Sequence, residues 1–469
     1  MTDIIDELAW RGLISQSTDL GELRTALYSG PVTLYGGFDP TAAGLHIGNL
    51  VLLLTLRRLQ LAGHRPIALV GGATGLIGDP SGKSAERVLN SPEMVAGWVE
   101  RIRREVSRFL DFSPGPAGAL VVSNLDWTQP LSALEFLRDI GKHFPVNVML
   151  GREAVRARLE SGGISYTEFS YQILQANDFL ELYRRHGCTL QVGGSDQWGN
   201  LVSGVDLIRR VTGESVHALA TPLITKPDGT KYGKSEGGAI WISADLMSPY
   251  AFYQFWLNRA DEEMPGLLRV FSFRSRADIE ALEEQVRVRP AARVAQRELA
   301  AEVTELVHGP AETEQAIAAS RALFGQGDLA QLDEKTLAAA LDEVPSADLG
   351  RVSSGAGAAW HIRKQSSAAA EMGWSVAGVQ AGEDAANASS GVSVAGESMP
   401  PVADLMAGTG IVPSKSAARR VITEGGAYLN NRRVQSPDER PGPGDLLYGR
   451  YLVLRRGKRV VAGVRVGPT

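Results

Sequence analysis

The segment YGGFDPTAAGLHIGN, residues 35–49, has the pattern of a strand that ends in a glycine-containing turn and leads into a helix. The strand is the β-rich run VTLYGGFD (32–39), and the helical stretch runs from about residue 47 to residue 61. The first turn of a helix presents unpaired N–H groups and the positive end of the helix dipole, which together suit a phosphate. The segment therefore predicts a phosphate-binding α/β unit with His46 at the start of its helix.

Three later segments repeat this pattern of an apolar run followed by Gly, Ser or Asp. They are PIALVGGATG (66–75), ALVVSNLDW (119–127) and TLQVGGSDQW (189–198). Continuous apolar strands separated by helices are typical of a parallel sheet covered on both faces. In such sheets, ligands bind at the carboxyl ends of the strands, beside a topological switch point. Residues 1–245 are therefore predicted to form an α/β, Rossmann-like catalytic domain.

The rest of the chain, which has 469 residues in all, divides by composition. Residues 246–350 are rich in Ala, Glu, Arg and Leu and predict a helical domain. Residues 351–398 are interpreted as a flexible linker or insertion, because 28 of the 46 residues in 353–398 are Ala, Gly or Ser and offer little apolar surface to bury. Trp360 and Trp374 are unusual there, and local docking of these rings stays open.

Residues 399–469 form a basic, α+β end to an acidic chain. The formal net charge of the whole chain is −5, whereas the stretch from residue 411 to the end has 12 Lys/Arg and 4 Asp/Glu, a difference of +8. Such a segregated charge indicates a module that binds a polyanion.

Cysteine content and apolar runs indicate the compartment. The one cysteine, Cys188, rules out an intrachain disulfide and a thiolate metal cluster. The N-terminal sequence MTDIIDELAWRG lacks the basic region of a signal peptide. No apolar run approaches the roughly 20 residues that span a bilayer. We therefore expect a cytoplasmic protein without a membrane partner.

KYGKS, residues 231–235, has two lysines within a glycine-rich stretch. A mobile loop of this kind can close over a polyphosphate and stabilise developing charge. Taken singly, KYGKS also fits a solvated basic turn, and LHIGN (45–49) also fits a surface histidine at a helix cap.

Together and in this order, LHIGN and KYGKS resemble the HIGH and KMSKS signatures of class I aminoacyl-tRNA synthetases. Asn49 replaces the last histidine of HIGH, and we expect its amide to donate a hydrogen bond to a ribose oxygen instead. KYGKS departs at its second and third positions but keeps both lysines. The resemblance narrows to tyrosyl-tRNA synthetases of the bacterial type, carried by LYGGFDPTAAGLHIGN, GGATGLIGDPSGK (71–83), FSYQILQANDF (169–179) and QVGGSDQWGN (191–200).

This resemblance implies a tyrosine pocket. Tyr35 and Asp178 would bracket the phenol of the substrate. A buried Asp that accepts a hydrogen bond from the phenol is left unpaired when phenylalanine binds, which is costly. The residues implied to bind the α-ammonium group are Tyr171, Asp79 and Gln175. Gln197 is implied to lie near the substrate carboxylate and the ribose.

The resemblance also implies an ATP site and a two-step reaction through a tyrosyl-adenylate. The implied ATP contacts are Gly37, Asp39, His46, Gly48, Asn49, Gly194, Asp196 and Lys234. The residues implied to stabilise the transition state are Thr41, His46, Lys83, Arg87, Lys231 and Lys234. Mg²⁺ would accompany ATP and bind mainly through the phosphates, with no metal ion held tightly by protein ligands.

The C-terminal module resembles the S4-type RNA-binding domain of these synthetases, which implies tRNA(Tyr) as a partner beside L-tyrosine and ATP. Its candidate phosphate contacts are Lys415, Arg419, Arg420, Arg432 and Arg433. The resemblance further implies a homodimer with an interface near 127–160. Two alternatives are a class I enzyme for another amino acid, such as tryptophan, and a non-catalytic RNA-binding protein descended from a synthetase.

Overall fold

The computed structural model describes residues 3–81, 91–225, 239–354, 357–365, 392–395 and 398–467. The chain divides into two compact units. The first comprises 1–233, 239–246 and 265–280, and the second comprises 234–238, 247–264 and 281–469. No helix within the described part of the chain is both long enough and apolar enough to cross a membrane.

A six-stranded sheet forms the centre of the first unit. Its strands are β1 (Gln16–Ser17), β2 (Thr33–Phe38), β3 (Arg65–Val70), β4 (Leu120–Ser123), β5 (Cys188–Gly194) and β6 (His217–Thr221). The order is β1-β6-β5-β2-β3-β4, and all neighbours are parallel except β1 and β6. The chain leaves β2 toward β3 in one direction and later returns to its other side as β5. This arrangement confirms the predicted Rossmann-like sheet and makes the β2–β5 pair its switch point.

The helices of the first unit cover this sheet. They are α1 (Ile4–Trp10), α2 (Leu20–Ser29), α3 (Ile47–Leu61), α4 (Thr74–Ile77), α5 (Pro92–Val106), α6 (Leu125–Thr128), α7 (Ala133–Glu135), α8 (Val146–Leu150), α9 (Glu153–Ser161), α10 (Tyr166–His186) and α11 (Trp198–Thr212). A π-helical turn (Phe136–Ile140) and two 3₁₀ turns (Gly141–His143 and Ser195–Gln197) lie between them.

Two of these helices place the residues that the sequence predicted to be functional. Helix α3 has the predicted bounds. Residues on nearly all of its sides are buried, as expected for an apolar helix inside an α/β fold. Helix α10 begins at its N-cap Ser165 and ends at Gly187, which adopts the left-handed conformation that glycine tolerates. Ile173, Phe179 and Leu180 of α10 pack in one apolar cluster with strand residues of β2, β3 and β5.

The segment 246–350, predicted to be a helical domain, contains six α-helices, and its last residues, from Ser346, begin a strand. The helices are α12 (Pro249–Leu257), α13 (Met264–Phe271), α14 (Arg276–Val288), α15 (Val294–His308), α16 (Pro310–Ala322) and α17 (Glu334–Asp342). Helix α12 packs against α15 and α16. Residues 265–280, which carry most of α13 and the start of α14, belong to the first unit although they lie inside the predicted helical domain.

A seven-stranded sheet completes the second unit. Its strands are β7 (Ser346–Ser354), β8 (Gly357–Gln365), β9 (Val392–Ala395), β10 (Ala427–Leu429), β11 (Arg432–Arg433), β12 (Tyr451–Arg456) and β13 (Val460–Val466). The order is β11-β10-β12-β13-β7-β8-β9, and only the β13–β7 pair is parallel. Two helices, α18 (Val402–Gly408) and α19 (Lys415–Thr423), precede β10.

The end of β7 and strands β8 and β9 lie within 351–398, so these parts of the predicted flexible linker are strands. Residues 366–391 of the same stretch lie outside the described part of the chain. Trp360 and Ile362 stand two positions apart on β8 and are both buried, in one cluster with α18 and the C-terminal strands. Average composition concealed this alternation, which is the pattern of a half-buried strand. Trp360 therefore docks, whereas Trp374 lies outside the described residues.

Strands β12 and β13 of the C-terminal sheet are buried on both faces within their unit. One face packs against α18 and α19 through residues such as Leu452, Leu454 and Val464. The other face places Val453 and Val461 in a second cluster with helix residues of α12, α16 and α17. Hydrogen bonds reinforce this second contact, since the Asn431 side chain donates to the Ala322 carbonyl at 2.7 Å.

Candidate active site

Strand β2 and helix α10 carry most of the residues predicted to bind tyrosine. Strand β2 carries Tyr35, which pairs with Ile67 of β3 and Gln191 of β5 in the sheet register. Helix α10 presents three predicted site residues on one face at spacings of four and three: Tyr171, Gln175 and Asp178. The rings of Tyr35 and Phe179 are 5.3 Å apart, so the sheet and the helix are in direct contact here.

The Asp178 carboxylate is buried, with 2% of the residue exposed. Asn124 Nδ2 donates to one carboxylate oxygen at 3.0 Å, and Trp127 Nε1 donates to the other at 2.8 Å. Burial raises the pKa of Asp178 to about 7, against the lowering effect of these two hydrogen bonds. Both oxygens are therefore held by neutral donors, and each retains lone pairs for a further donor.

Tyr35 is 1% exposed, and its Oη makes no hydrogen bond within the described part of the chain. Burial, and secondarily the Asp178 charge, hold the pKa of Tyr35 well above its usual range, so the hydroxyl stays neutral. Leaving a buried hydroxyl unpaired costs about 1–3 kcal/mol. A polar ligand group in this pocket would remove that penalty. The structure thus brings Tyr35 and Asp178 together, as the sequence predicted.

A chain of hydrogen bonds connects Asp178 to Asp39. Asn124 Nδ2 also donates to Thr74 Oγ1 at 3.0 Å, and that hydroxyl donates to Asp39 at 2.7 Å. Tyr171 Oη donates to the other Asp39 oxygen at 2.6 Å. Asp39 was predicted as an adenosine contact, but its carboxylate here adjoins Tyr171, a residue of the predicted α-ammonium set. A Cβ atom at Gly71 would lie 1.9 Å from Asp39 Oδ1, so this approach requires glycine.

The other predicted α-ammonium contacts lie around Asp79. Gln197 Nε2 donates to Asp79 at 2.6 Å, and the Ser81 N–H donates to the second oxygen at 2.9 Å. Asn200 in turn donates to Gln197 Oε1 at 2.9 Å. Gln175 Oε1 is buried and accepts no hydrogen bond from the described residues. Carboxylates combined with such an acceptor suit a cation. Nearby, Asp196 Oδ1 lies 2.8 Å from where a Cβ of Gly194 would be.

His46 is the N-cap of α3. Its Nδ1 accepts from the Gly48 N–H at 3.0 Å, and its own N–H donates to Asn49 Oδ1 at 3.1 Å, which completes a capping box. Because Nδ1 is an acceptor, Nε2 carries the proton in the neutral ring. A Cβ at Gly48 would lie 2.8 Å from His46 Cε1, so glycine is needed for this cap. The Asn49 side-chain oxygen thus accepts a hydrogen bond in the helix cap. The predicted contact with the ribose would use the Asn49 Nδ2 group.

The residues that follow the second signature in the sequence pair with those of the first signature. The Ile47 N–H donates to the Ile240 carbonyl at 2.9 Å, and the Ile242 N–H donates to the Leu45 carbonyl at 3.0 Å. His46 and Trp241 face each other in this short antiparallel bridge. Thr41 lies in the turn after β2, where its N–H donates to the Asp39 carbonyl. Four predicted phosphate-binding cations lie outside the described residues: Lys83, Arg87, Lys231 and Lys234.

Ion pairs divide the cations of the C-terminal module into two sets. Lys415 pairs with Asp404 at 2.6 Å, Arg419 pairs with Asp438, and Arg432 pairs with Glu439 at 2.7 Å. By contrast, no ion pair within the described residues involves the other predicted contacts, Arg420 and Arg433, or three exposed cations at the β12–β13 turn, Arg456, Lys458 and Arg459. We call these last three the basic hairpin.

Reasoning from the sequence missed Thr74, Asn124 and Trp127. Asn124 directly follows β4 at the same sheet edge as the predicted site, so the rule that ligands lie at strand ends could have identified it. Trp127 gave no such signal, because its role depends on the indole N–H reaching Asp178. No group of three or more His, Cys, Asp or Glu in the described part of the chain could hold a metal ion.

Comparison with known proteins agrees with this geometry. The family model "tRNA synthetases class I (W and Y)" matches residues 28–325, and "Tyrosine–tRNA ligase SYY-like C-terminal domain" matches residues 384–462. The chain is 57% identical over 468 residues to the tyrosine–tRNA ligase of Streptomyces coelicolor and 55% identical over 473 residues to that of Thermobifida fusca. Each alignment covers 99% of both chains.

A solved structure shows the same fold. The C-terminally truncated mitochondrial tyrosyl-tRNA synthetase of Aspergillus nidulans aligns with a TM-score of 0.63 and 28% identity, covering 69% of this chain and 94% of that one. The first family model includes enzymes for tryptophan and for tyrosine, whereas the second model and the full-length relatives are specific to tyrosine. The chain therefore belongs to the tyrosine–tRNA ligases, within the class I aminoacyl-tRNA synthetases.

Proposed function

We propose that the chain activates L-tyrosine with ATP to form tyrosyl-adenylate and pyrophosphate, and then transfers the tyrosyl group to the 3′-terminal adenosine of tRNA(Tyr). One observation supports tyrosine as the amino acid substrate. Tyr35 on β2 has a buried hydroxyl that makes no hydrogen bond to the described residues, and Asp178 on α10 has a buried carboxylate. A phenol hydroxyl can donate to that carboxylate and accept from Tyr35, which phenylalanine cannot do.

The α-ammonium group of tyrosine would bind among Asp79, Gln175 and Tyr171. The support is chemical, since these groups supply a carboxylate, a buried oxygen without a hydrogen bond and a phenol linked to Asp39. Gln197, which donates to Asp79, would lie beside the substrate carboxylate and the ribose. This arrangement orients the carboxylate toward the α-phosphate of ATP, and such positioning is a main source of rate enhancement.

The first chemical step needs no general base in the protein. The tyrosine carboxylate is ionised at neutral pH and attacks the α-phosphate, a new C–O–P linkage forms, and pyrophosphate departs. Negative charge grows on the leaving phosphates. Thr41 and the His46 Nε2–H would donate hydrogen bonds to the γ-phosphate as its negative charge grows. Contacts that are stronger in the transition state than in the ground state lower the activation free energy. Lys83, Arg87, Lys231 and Lys234 are proposed for the same role.

The remaining proposed ATP contacts are the glycines and polar groups at the ends of β2 and β5 and at the start of α3: Gly37, Asp39, Gly48, Asn49, Gly194 and Asp196. Mg²⁺, when bound with ATP, would neutralise phosphate charge. Mg²⁺ usually keeps several waters and binds through substrate phosphates, so the ion would be held chiefly by phosphate oxygens and water.

The tRNA would bind to the C-terminal module through cations whose charge is not already balanced. A cation that must break an ion pair before it binds a phosphate contributes less than one that is exposed and unpaired. We therefore place the main phosphate contacts at Arg420, Arg433 and the basic hairpin. Lys415, Arg419 and Arg432 would contribute less, because each is paired with a carboxylate.

A homodimer is proposed from an exposed apolar surface on the first unit. Leu134, Leu137, Val146 and Val148 are 80%, 53%, 59% and 43% exposed, respectively, and all lie within the predicted interface segment. Clustered apolar side chains of this kind mark protein–protein contacts. Sedimentation equilibrium of Leu137→Glu/Val148→Glu should show a monomer, with Leu61→Glu, at an exposed leucine on α3, as control. A dimeric double variant would contradict this interface.

We also propose that the protein acts in the cytoplasm. The support is its one thiol, Cys188, which is fully buried, and burial raises its pKa far above the usual range so that it stays unreactive.

ATP–pyrophosphate exchange tests the proposed reaction. Exchange should depend on L-tyrosine, and L-tryptophan and L-phenylalanine should support it at least about 10²-fold less well, because each leaves the Tyr35–Asp178 pair without a phenol. Equal exchange with tryptophan would favour the tryptophan enzyme, and no exchange with any amino acid would favour a non-catalytic RNA-binding protein. Charging of tRNA(Tyr) with labelled tyrosine then tests the second step.

A further inference from the structure

Glu105 lies near the C-terminal end of α5, outside every segment that the sequence marked as functional, yet it is 5% exposed. Its Oε2 accepts a hydrogen bond from the Leu45 N–H at 2.8 Å. Leu45 immediately precedes His46, the cap of α3. A buried carboxylate therefore holds the backbone of the turn that presents the histidine.

The second carboxylate oxygen fits closely against the same turn. Glu105 Oε1 is buried and makes no hydrogen bond of ordinary geometry within the described part of the chain. A Cβ atom at Gly44 would lie 3.0 Å from Oε1 and 2.8 Å from Leu246 Cδ1. The turn thus approaches the carboxylate as closely as it does because residue 44 has no side chain.

Helix α5 also holds the segment that follows the second signature. Arg101, one turn before Glu105, forms an ion pair with Asp245 at 2.7 Å, and the Ser243 hydroxyl donates to Asp245 at 2.5 Å. Burial raises the pKa of Glu105 and Asp245 adds to this, while the Leu45 N–H, Ser243 and Arg101 favour its charged form. Glu105 and Arg101 of α5 therefore contact the two chain segments that pair beside His46, one each.

We propose that Glu105 is a positioning residue for ATP activation. Glu105 fixes the turn at residues 44–45 and thereby orients His46 Nε2 toward the phosphates. It also holds this turn beside residues 240–245, which follow KYGKS in the sequence. The proposal rests on the proposed role of His46. Buried hydrogen bonds to a charged group are among the strong ones in proteins, and a small displacement of a phosphate donor weakens transition-state binding steeply.

The test compares Glu105→Ala and Glu105→Gln in tyrosine-dependent ATP–pyrophosphate exchange. Glu105→Ala should lower kcat/KM for ATP about tenfold or more and leave the KM for tyrosine within about twofold, since the tyrosine pocket is elsewhere. Glu105→Gln keeps an oxygen for the Leu45 N–H and should restore kcat/KM for ATP to within about threefold of the unmodified protein. Glu100→Ala on the same helix, where the carboxylate is 71% exposed, is the matched control.

A double-mutant cycle separates this proposal from the role of His46. If Glu105 acts through His46, adding Glu105→Ala to His46→Ala should cost little more than His46→Ala alone. Fully additive losses would overturn the positioning role, as would a Glu105→Ala variant with unchanged ATP parameters or with an equal loss for tyrosine. An unchanged rate in His46→Ala alone would instead refute the proposed role of the histidine. If Glu105→Ala does not fold, Gly44→Ala, which displaces the same turn, carries the same expectation for ATP.

Discussion

The two sheets of the molecule use polar groups in opposite ways. At the carboxyl ends of the parallel sheet, polar side chains are buried and linked by neutral hydrogen bonds, and Tyr35 Oη and Gln175 Oε1 make no hydrogen bond to the described residues. Around the C-terminal sheet, the polar groups are exposed cations, and several are already paired with carboxylates. The first arrangement suits a small ligand that must be told apart from near relatives, and the second suits a polyanion.

The physical difference is the surrounding dielectric. A buried group without a partner carries an energetic penalty that only the correct ligand removes, so discrimination can be large. Exposed charges interact through water and salt, so each contributes little and the sum depends on ionic strength. Substitutions in the parallel-sheet site should therefore have larger and more specific effects than substitutions in the C-terminal module.

The largest effect is expected for Asp178→Asn. Both carboxylate oxygens accept hydrogen bonds, from Asn124 and Trp127, so an Asn side chain places an NH₂ group against a donor and also loses the acceptor for the phenol. The kcat/KM for tyrosine in pyrophosphate exchange should fall by about 10²-fold or more, which corresponds to roughly 3 kcal/mol. Tyr166→Phe, at an exposed position near the start of the same helix, serves as control. Normal tyrosine affinity in Asp178→Asn would refute the pocket assignment.

A slightly smaller, purely kinetic effect is expected for His46→Asn. Asparagine is a good N-cap, so α3 should keep its start while the imidazole Nε2–H is lost. The rate of adenylate formation in single-turnover measurements should fall by about 10²-fold, the usual effect of removing one transition-state donor. Tyrosine binding, measured by calorimetry, should not change. A variant that forms adenylate at the normal rate would exclude a catalytic role for His46.

Neutralising the basic hairpin should have a moderate effect on tRNA alone. Changing Arg456, Lys458 and Arg459 to Gln should raise the KM for tRNA about tenfold and flatten its dependence on salt concentration, because phosphate contacts release counterions. Pyrophosphate exchange should stay normal. The matched control removes three paired charges, Lys415, Arg419 and Arg432. If this control weakens tRNA binding more than the hairpin variant does, our division of the cations is wrong.

The smallest effect is the pH dependence of tyrosine binding. Burial raises the pKa of Asp178 to about 7, so the carboxylate that we propose accepts from the phenol is increasingly protonated below neutrality. Tyrosine affinity measured by equilibrium dialysis should therefore fall by up to about tenfold from pH 8 to pH 6. A flat profile would contradict the assignment.

The same pKa also has a consequence for the stability of the free protein. Because the pKa is higher in the folded state than in the unfolded chain, protonation of Asp178 favours folding. This contribution to stability is complete below pH ~4 and is lost as the pH rises through about 7. Comparing chemical denaturation curves of the unmodified protein and of Asp178→Asn across this range would isolate the contribution.

The sequence predicted the parallel sheet and the bounds of α3 because both depend on local patterns, an apolar strand followed by a capped helix. Motif resemblance also singled out Tyr35 and Asp178, which the structure brings close together, while the substrate pocket between them stays a prediction. The sequence could not show that Asn124 joins Asp178 to Thr74, because those three side chains come from distant segments and meet only after the sheet forms.

In the C-terminal region, the composition of the sequence led to a wrong prediction for a strand. A composition rich in Ala, Gly and Ser indicated a flexible segment, yet Trp360 and Ile362 are enough to anchor β8 in a core. Whether a weakly apolar strand is ordered depends on what packs against it, and its partners here are distant in sequence. The pairing of Lys415 with Asp404 was equally invisible, since charge counts do not show which cations are neutralised.

The parallel pairing of β13 with β7 has a consequence for how the chain folds. Gly463 pairs with Ser346, so the edge between these strands joins positions more than a hundred residues apart. Contacts of such long sequence separation form slowly, because closing the intervening loop costs entropy before any contact is gained. During synthesis, the six strands of the parallel sheet leave the ribosome long before β13 exists. We expect the nascent chain to acquire its nucleotide fold first, and the strands from β7 onward to wait for the last residues of the protein.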